Sequence, residues 1–116
     1  AEVVAEMVQR EYVNDERYAE ARAHSLLAAR KSRRAAARNL RQKGLSAQQV
    51  AAALEAVYAP DEEGENPELS AAVALVESRY RPKLAMGRRD LVVAALQRRG
   101  FAYAVVKEAI KRVEEE

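Results

Sequence analysis

The side chains best suited to chemistry in this sequence form a dense run of cations. Residues 30–46 hold seven basic residues and no acidic one: Arg30, Lys31, Arg33, Arg34, Arg38, Arg41 and Lys43. Such side chains form charge-assisted hydrogen bonds to anions. No acid occurs from Ala21 to Leu54, whereas solvated surfaces usually mix both signs. The run therefore predicts a surface for an anionic partner, with an ordinary solvated helix face as the alternative.

These cations are expected to lie on a helix over about residues 32–43, because the Ala-rich middle of the run has high helix propensity. Four of them fall at spacings of four, four and three, which places them on one stripe of a helix: Arg30, Arg34, Arg38 and Arg41. A different side of the same helix can face a core through Ala36, Ala37 and Leu40. Gly44 is predicted to end this helix in a left-handed C-cap. Ser46, with Gln49 three residues later, predicts a capping box that starts the next helix.

Charge is segregated elsewhere in the chain, although the net charge is only +2. Residues 61–68 carry five acids and no base, whereas residues 79–99 carry seven bases and one acid. The second basic segment adds four candidate binding residues: Arg88, Arg89, Arg98 and Arg99. A chain that sorts its charges in this way can present local fields of both signs.

The sequence offers little catalytic chemistry. It has no Cys and a single His, His24, which is expected to face solvent or an interface. Its four glycines do not form a phosphate-binding loop. The acids of residues 61–65 lack the spacing of a calcium loop and are predicted to be solvated. We therefore expect a protein that is not an enzyme and that uses no cofactor and no metal.

Helical periodicity covers most of the chain, and no strand pattern occurs. Helices are expected at about residues 2–11, 14–29, 32–43, 47–59 and 88–99. A further helix is expected to begin at Pro67 after an Asn66 N-cap, and the last one lies around Val105–Val113. Residues 59–66 are predicted to be a linker, mobile over residues 60–66, and residues 79–87 a loop. Inward-facing residues are predicted to be Tyr18, Ala19, Ala23, Leu26, Leu27, Val50, Ala53, Leu54, Val57, Tyr58, Leu69, Ala72, Val73, Val76, Tyr80, Leu91, Val92, Ala95, Leu96, Val105, Val106, Ala109, Ile110 and Val113. No apolar run approaches the length of a membrane span.

The two halves of the chain repeat each other at an offset of 56 residues. The segment Leu40–Leu45 aligns with Leu96–Phe101, and each contains basic residues followed by Gly and a large apolar residue. The apolar stripe that contains Val50 and Val57 aligns with the one that contains Val106 and Val113. Such a period indicates a helical array in which each unit needs its neighbour to cover an apolar side.

Three segments, in order and with matching spacing, carry a resemblance to the RecX family. Tyr12–Ala19 resembles that family's "GYLDDERFA" segment, Leu40–Leu45 its "EL..KGI" segment, and Leu96–Tyr103 its "L.RRGFSY" segment. The sequence departs from these segments at Glu11, Asn14 and Ala102, where the family usually has Gly, an acid and Ser.

The resemblance implies a cytoplasmic bacterial regulator that binds the RecA nucleoprotein filament in its helical groove. Such a protein reduces the ATPase, strand-exchange and co-protease activities of RecA, and some members also bind DNA directly. The implied partners are RecA and single-stranded DNA, with double-stranded DNA as a further candidate. Two other functions stay open: a DNA-binding helical module without a RecA target, and an adaptor for an acidic protein surface.

The expected architecture is all-α, with tandem three-helix repeats in an elongated, curved helical array. Residues 1–11 are interpreted as the last helix of an upstream repeat, because Val3, Val4, Met7 and Val8 resemble the third helix of a unit. Residues 12–59 and 67–116 are each predicted to be a repeat, joined by an acidic linker at 60–66. A monomer is expected, and a dimer through the exposed stripe of the first helix is the alternative.

Overall fold

The chain folds into an elongated array of helices. The structure, a computed structural model, describes the backbone from Glu2 to Glu116 and the side chains from Asp15 onward. The elements are α1 (Glu2–Ala28), α2 (Arg33–Gln42), α3 (Ala47–Tyr58), α4 (Pro67–Leu75), a π-helical turn (Val76–Tyr80), α5 (Arg81–Ala85), α6 (Arg89–Arg98) and α7 (Tyr103–Glu114). The molecule measures 66 × 29 × 19 Å, and the backbone from Glu2 onward contains no strand. The predicted all-α fold is confirmed.

The internal repeat is present in the helix boundaries themselves. Adding 56 to the bounds of α2 and α3 gives the bounds of α6 and α7. Burial follows the same offset: the buried residues Ala36, Leu40, Leu45, Val50, Ala53, Leu54 and Val57 correspond to the buried Val92, Leu96, Phe101, Val106, Ala109, Ile110 and Val113. The two halves therefore use one packing pattern, and the predicted tandem three-helix arrangement is confirmed.

Each repeat has its own apolar core, and the two cores meet. One core joins α1, α2 and α3, and the other joins α4, the π-helical turn, α6 and α7. Leu27, near the end of α1, packs against both cores. Residues in one repeat therefore help to cover apolar surface of the other, as an array of this kind requires.

The predicted turns are confirmed. Gly44 and Gly100 end α2 and α6 in left-handed conformations, with φ of 87° and 96°. Ser46 and Gln49 form a complete capping box at the start of α3. Asn66 caps α4, whose first residue is Pro67.

Helix α1 differs from its prediction because it is continuous where a break at residues 12–14 was expected. Its sequence contains neither Gly nor Pro, and Asn14 alone costs too little helix propensity to end a helix between good helix formers. The apolar stripe assigned to residues 3–8 lies outside the residues whose side chains are described. The division of the chain into 1–11, 12–59, 60–66 and 67–116 stays a prediction.

The segment 79–87, predicted to be a loop, is largely helical. Helix α4 widens into the π-helical turn and continues as α5, which begins one residue before Pro82. A Pro inside a regular helix clashes with the carbonyl four residues earlier and lacks an N–H donor. A wider π turn before Pro82 gives the chain a way to accommodate both effects without ending the helix.

Two predicted core residues lie at the surface. Tyr18 is 44% exposed and Leu91 is 36% exposed. In both helices the neighbouring residue, Ala19 or Val92, faces the core instead. Tyr58 and Val76 are buried as predicted, while Tyr80 is only half-buried.

The linker between α3 and α4 contains more internal bonding than its composition suggested. The backbone N–H groups of Glu63 and Glu65 donate to the Asp61 carboxylate at 3.0 and 2.7 Å, and the N–H of Gly64 donates to the Asp61 carbonyl at 2.9 Å. The Glu65 carboxylate also pairs with Arg112 on α7. Residues 60–64 are exposed, and the mobility of the linker stays a prediction.

Candidate anion-binding groove

Helix α2 presents its cations because its other side is buried. Ala36 and Leu40 are inaccessible to solvent, which fixes the rotation of the helix. Arg34, Arg38 and Arg41 then lie on the exposed side. The sequence-based assignment of these three arginines to one exposed stripe is confirmed, whereas the assignment of Arg30 to it is wrong.

Arg30 lies outside α2, in the turn that follows α1. Its φ is 64°, the only positive φ of a non-glycine residue in the described backbone. The Lys31 N–H donates to the Leu26 carbonyl at 3.0 Å, a bond that closes the C-terminal turn of α1. Since glycine is the residue that usually adopts this conformation, an arginine at this position does not signal the turn.

A groove of about 440 Å³ runs between α2 and the C-terminal end of α6. Cations line both of its sides: Lys31, Arg34 and Arg38 come from the first repeat, and Arg98 and Arg99 come from the second. Three carboxamides also line the groove: Asn39, Gln42 and Gln97. The fold therefore brings together five of the eleven basic residues singled out in the sequence, from two segments about 60 residues apart.

A second depression, of about 450 Å³, continues the cationic surface along α2. It is lined by Arg34, Ala37, Arg38, Arg41 and Gln42. Arg34, Arg38 and Gln42 line both cavities, so they form a ridge between them. Arg41 joins the site through this second depression.

The cations of the groove are not neutralised by acids of the described part of the chain. The ion pairs among side chains from Asp15 onward leave out Lys31, Arg34, Arg38 and Arg98. Arg99 donates from Nε to the Tyr80 hydroxyl at 3.2 Å, a bond that orients the guanidinium without changing its charge. These charges remain available to an external anion.

The remaining candidate residues lie elsewhere. Arg33 pairs with Glu55 at 3.6 Å, Arg88 with Asp90 at 3.2 Å and Arg89 with Glu114 at 3.9 Å. The partnership with Arg88 lowers the pKa of the Asp90 carboxyl. Lys43, the C-cap of α2, lines neither cavity. Arg88, Arg89 and Arg98 are all exposed, and the first two are engaged by acids.

Ser32 holds the two sides of the groove together, and sequence analysis missed this role. Its side chain is fully buried and caps α2 by accepting the Ala35 N–H at 3.0 Å. The same hydroxyl donates to the Arg99 carbonyl at 2.9 Å, across the repeat boundary. A Ser before an Ala-rich helix signals an N-cap, but its partner 67 residues away cannot be read from local pattern.

A second polar contact joins the repeats beside this one. The Arg33 N–H at the start of α2 donates to the Glu68 carboxylate of α4 at 3.3 Å. Burial raises the pKa of Glu68, and the N–H and charge of Arg33 partly offset that rise. The Tyr58 hydroxyl, nearby in the same interface, donates to the Lys31 carbonyl at 2.9 Å. Burial and the Glu68 charge raise the pKa of Tyr58 to about 12.

The described residues contain no grouping of three or more His, Cys, Asp or Glu side chains that could hold a metal ion. His24 lies on the exposed side of α1, 4.0 Å from Glu20. The cations and carboxamides that line the groove support binding of an anion.

Fold and groove together define a tandem three-helix repeat protein with a cationic surface at the repeat junction. Residues 14–54 match the family model described as "RecX, second three-helix domain". The chain is also 35% identical over 109 residues to "Regulatory protein RecX" of Myxococcus xanthus (strain DK1622). That similarity covers 93% of this chain and 58% of the relative, so the chain spans little more than half the relative's length. No solved structure matches at a significant level.

By both comparisons the chain is similar to RecX proteins. The matched residues 14–54 include α2, which supplies the first side of the groove. The resemblance drawn from the three sequence segments is thus confirmed.

Proposed function

We propose that the protein is a non-enzymatic regulator of RecA that binds the RecA filament on single-stranded DNA. Binding would lower the ATPase, strand-exchange and co-protease activities of RecA, and it would take place in the cytoplasm. The observation that carries the proposal is the groove at the repeat junction of a chain similar to RecX proteins. The cations of this groove form no ion pair with the side chains from Asp15 onward. The single-stranded DNA of such a filament carries a phosphate on every nucleotide, and phosphates are anions that these cations can neutralise.

The elongated shape of the chain also supports the proposal. A thin array of helices can follow a helical groove over a longer distance than a compact domain of equal mass.

None of the helices between Glu2 and Glu116 is long and apolar enough to span a membrane.

The test is the ATPase activity of RecA on single-stranded DNA, titrated with this chain and with two triple variants. The first variant, R34A/R38A/R41A, removes the exposed arginines of α2. The control, K83A/K107A/K111A, removes the same charge from exposed lysines that line neither cavity. Both should retain the helical circular dichroism of the parent, because exposed substitutions to Ala preserve helix propensity.

We expect the parent and the lysine control to inhibit RecA at amounts far below those that saturate the DNA. The arginine variant should need at least about tenfold more protein, since a charge-assisted hydrogen bond is worth roughly 1.5–3 kcal/mol. A folded arginine variant that inhibits like the parent would show that the exposed side of α2 is only solvated. Inhibition that appears only as the DNA becomes saturated would favour a DNA-binding module without a RecA target.

A further inference from the structure

The groove contains cations from both repeats, and the bonds that set its width cross the repeat boundary. The positions of Arg34 and Arg38 are set by α2, whose other side is buried. The positions of Arg98 and Arg99 are set by the C-terminal end of α6. The Ser32 hydroxyl binds the Arg99 carbonyl, and Gly100 lies so close that a Cβ there would be 2.8 Å from Ser32 Oγ. The two cationic sides are therefore held at one separation by a buried contact that carries no charge itself.

The lining of the groove indicates the chemistry of its partner. Apart from Leu26, which is 6% exposed, and the small Ala35 and Gly100, the described lining is polar or charged. Protein partners usually depend on apolar or aromatic anchors that fill pockets, and this groove offers none. Interfaces with nucleic acids are instead polar and strongly positive.

The carboxamides point to the same class of partner. Asn39, Gln42 and Gln97 lie among the cations and can donate hydrogen bonds to phosphate and sugar oxygens. None of the described side chains that line the groove is aromatic, so these residues offer bases no stacking platform. Contacts would therefore be to the backbone of the strand and largely independent of sequence.

We propose that this groove is a composite site for the phosphodiester backbone of single-stranded nucleic acid, formed by both repeats and held at its working width by Ser32. Ser32 is a positioning residue, because it contacts the Arg99 backbone and the α2 N-terminus. The inference rests on the proposed function for its setting, since it names the component of the RecA filament that the groove contacts. It adds that neither repeat alone provides the site.

The test uses the full chain without RecA and measures fluorescence anisotropy of a labelled oligothymidylate over a range of salt concentrations. The variants are R38A, R98A, the double R38A/R98A, and S32A. The control K83A/K107A removes two charges away from the groove. Circular dichroism establishes that each variant is folded at the temperature of the titration.

We expect R38A and R98A each to weaken binding several-fold, and the double variant at least about tenfold. Each phosphate that a variant no longer neutralises should make the slope of log affinity against log salt shallower by about 0.7. Folded S32A should bind several-fold more weakly although its charge is unchanged, and the lysine control should keep most of the parent's affinity.

The composite site is wrong if R98A binds like the parent while R38A does not, because α2 alone would then form the site. It is also wrong if polyglutamate competes as well as the unlabelled oligonucleotide, which would assign the groove to an acidic protein surface. S32A folded with parental affinity would remove Ser32 from the proposal. If S32A is unfolded, R38A and R98A still decide whether both repeats contribute.

The RecA assay separates this inference from the proposed function. A chain that binds the oligonucleotide through both repeats but leaves RecA activity unchanged would overturn the function and keep the site. A double variant that loses the oligonucleotide yet inhibits RecA normally would keep the regulatory function but show that inhibition does not act through this groove.

Discussion

Gly44 and Gly100 occupy the same turn of the two repeats, but their surroundings differ. Both have positive φ, which an L-residue with a side chain adopts only at a cost. A Cβ on Gly44 would meet nothing within 4 Å, whereas a Cβ on Gly100 would come 2.8 Å from Ser32 Oγ and 3.5 Å from Arg34 Cβ. The second glycine therefore serves both the turn and the close approach of the repeats.

We expect Gly100→Ala to destabilise the protein more than Gly44→Ala. The Gly44 change should cost about 1 kcal/mol of unfolding free energy, because it introduces backbone strain alone. The Gly100 change should cost at least about 1 kcal/mol more, since it also disturbs the Ser32–Arg99 hydrogen bond. Urea denaturation of both variants checks this. Equal losses of unfolding free energy would mean that the contact between the repeats adjusts to the added Cβ without destabilising the protein.

Tyr58 makes stability depend on pH in the alkaline range. Its pKa is about 12 in the folded protein, above the value of about 10 for an unfolded chain. The neutral phenol is the form that the fold favours. Its contribution to stability is therefore complete below pH of about 10 and is lost as the pH rises through about 12.

We expect the parent to lose about 2 kcal/mol of unfolding free energy more than Tyr58→Phe between pH of about 9 and 12. The Phe variant cannot ionise here, and other titrating groups are common to both proteins. At pH of about 9 the variant should be less stable by about 1 kcal/mol, because the partly buried hydrogen bond to the Lys31 carbonyl is lost. Parallel pH profiles of the two proteins would show that Tyr58 does not titrate upon unfolding.

Individual charges of the site could be predicted from sequence, but their pairing could not. Helix periodicity predicts that the side chains of Arg34 and Arg38 are exposed, and the absence of acids nearby in the sequence predicts that they form no local ion pair. Arg33 lies in the same run, yet Glu55 engages it from another helix. The contribution of Arg98 and Arg99 to the same groove depends on how two repeats dock, which no local pattern contains.

At the scale of helices, α3 and α7 are equivalent but begin differently. Ser46 caps α3 through a capping box with Gln49. At the matching position of α7, Ala102 has an extended backbone but offers no side-chain acceptor. Because the backbone conformation is already that of a capping residue, a hydroxyl at 102 can accept an N–H of the first turn without rearrangement.

We expect Ala102→Ser to stabilise the protein and Ser46→Ala to destabilise it. Each change should amount to about 0.5–2 kcal/mol, the usual range for a capping side chain. Residue 102 is exposed, so added bulk should cause no clash. Thermal unfolding of the two single variants checks the pair; an Ala102→Ser protein that melts at or below the parent temperature would contradict the argument.

Helix bounds were predictable where capping and helix-terminating residues are unambiguous, and less so where they are not. The bounds of α2 and α3 follow from Gly44 and Ser46, whose conformational effects are local. Asn14 is ambiguous, because the same residue can cap a helix or sit within one. The prediction of a loop around Pro82 was wrong for another reason. A π-helical turn before Pro82 accommodates the steric clash of the proline ring, and this rare conformation is not signalled by composition.

At the scale of the whole molecule, the repeats are coupled by packing and by hydrogen bonds. Leu27 packs into both cores, Ser32 bonds to the Arg99 carbonyl, and the Arg33 N–H bonds to Glu68. The Ser32 hydroxyl is buried, where loss of a partner costs more than at the surface. Separation of the repeats would expose apolar surface and leave buried polar groups without partners.

We therefore expect the protein to unfold in one cooperative transition, with calorimetric and van't Hoff enthalpies that agree.

Ser32→Ala removes a helix cap and a buried hydrogen bond, and should lower stability by about 1–3 kcal/mol. For a domain of this size, each kcal/mol corresponds to roughly 4 °C in melting temperature. Ser46→Ala is the matched control, because it removes a cap that does not reach the other repeat. If Ser32→Ala broadens the transition or divides it while Ser46→Ala only shifts it, the Ser32 contact carries cooperativity between repeats. Two resolved transitions in the parent would mean instead that the repeats fold independently, and that the contacts at their junction are too weak to couple them.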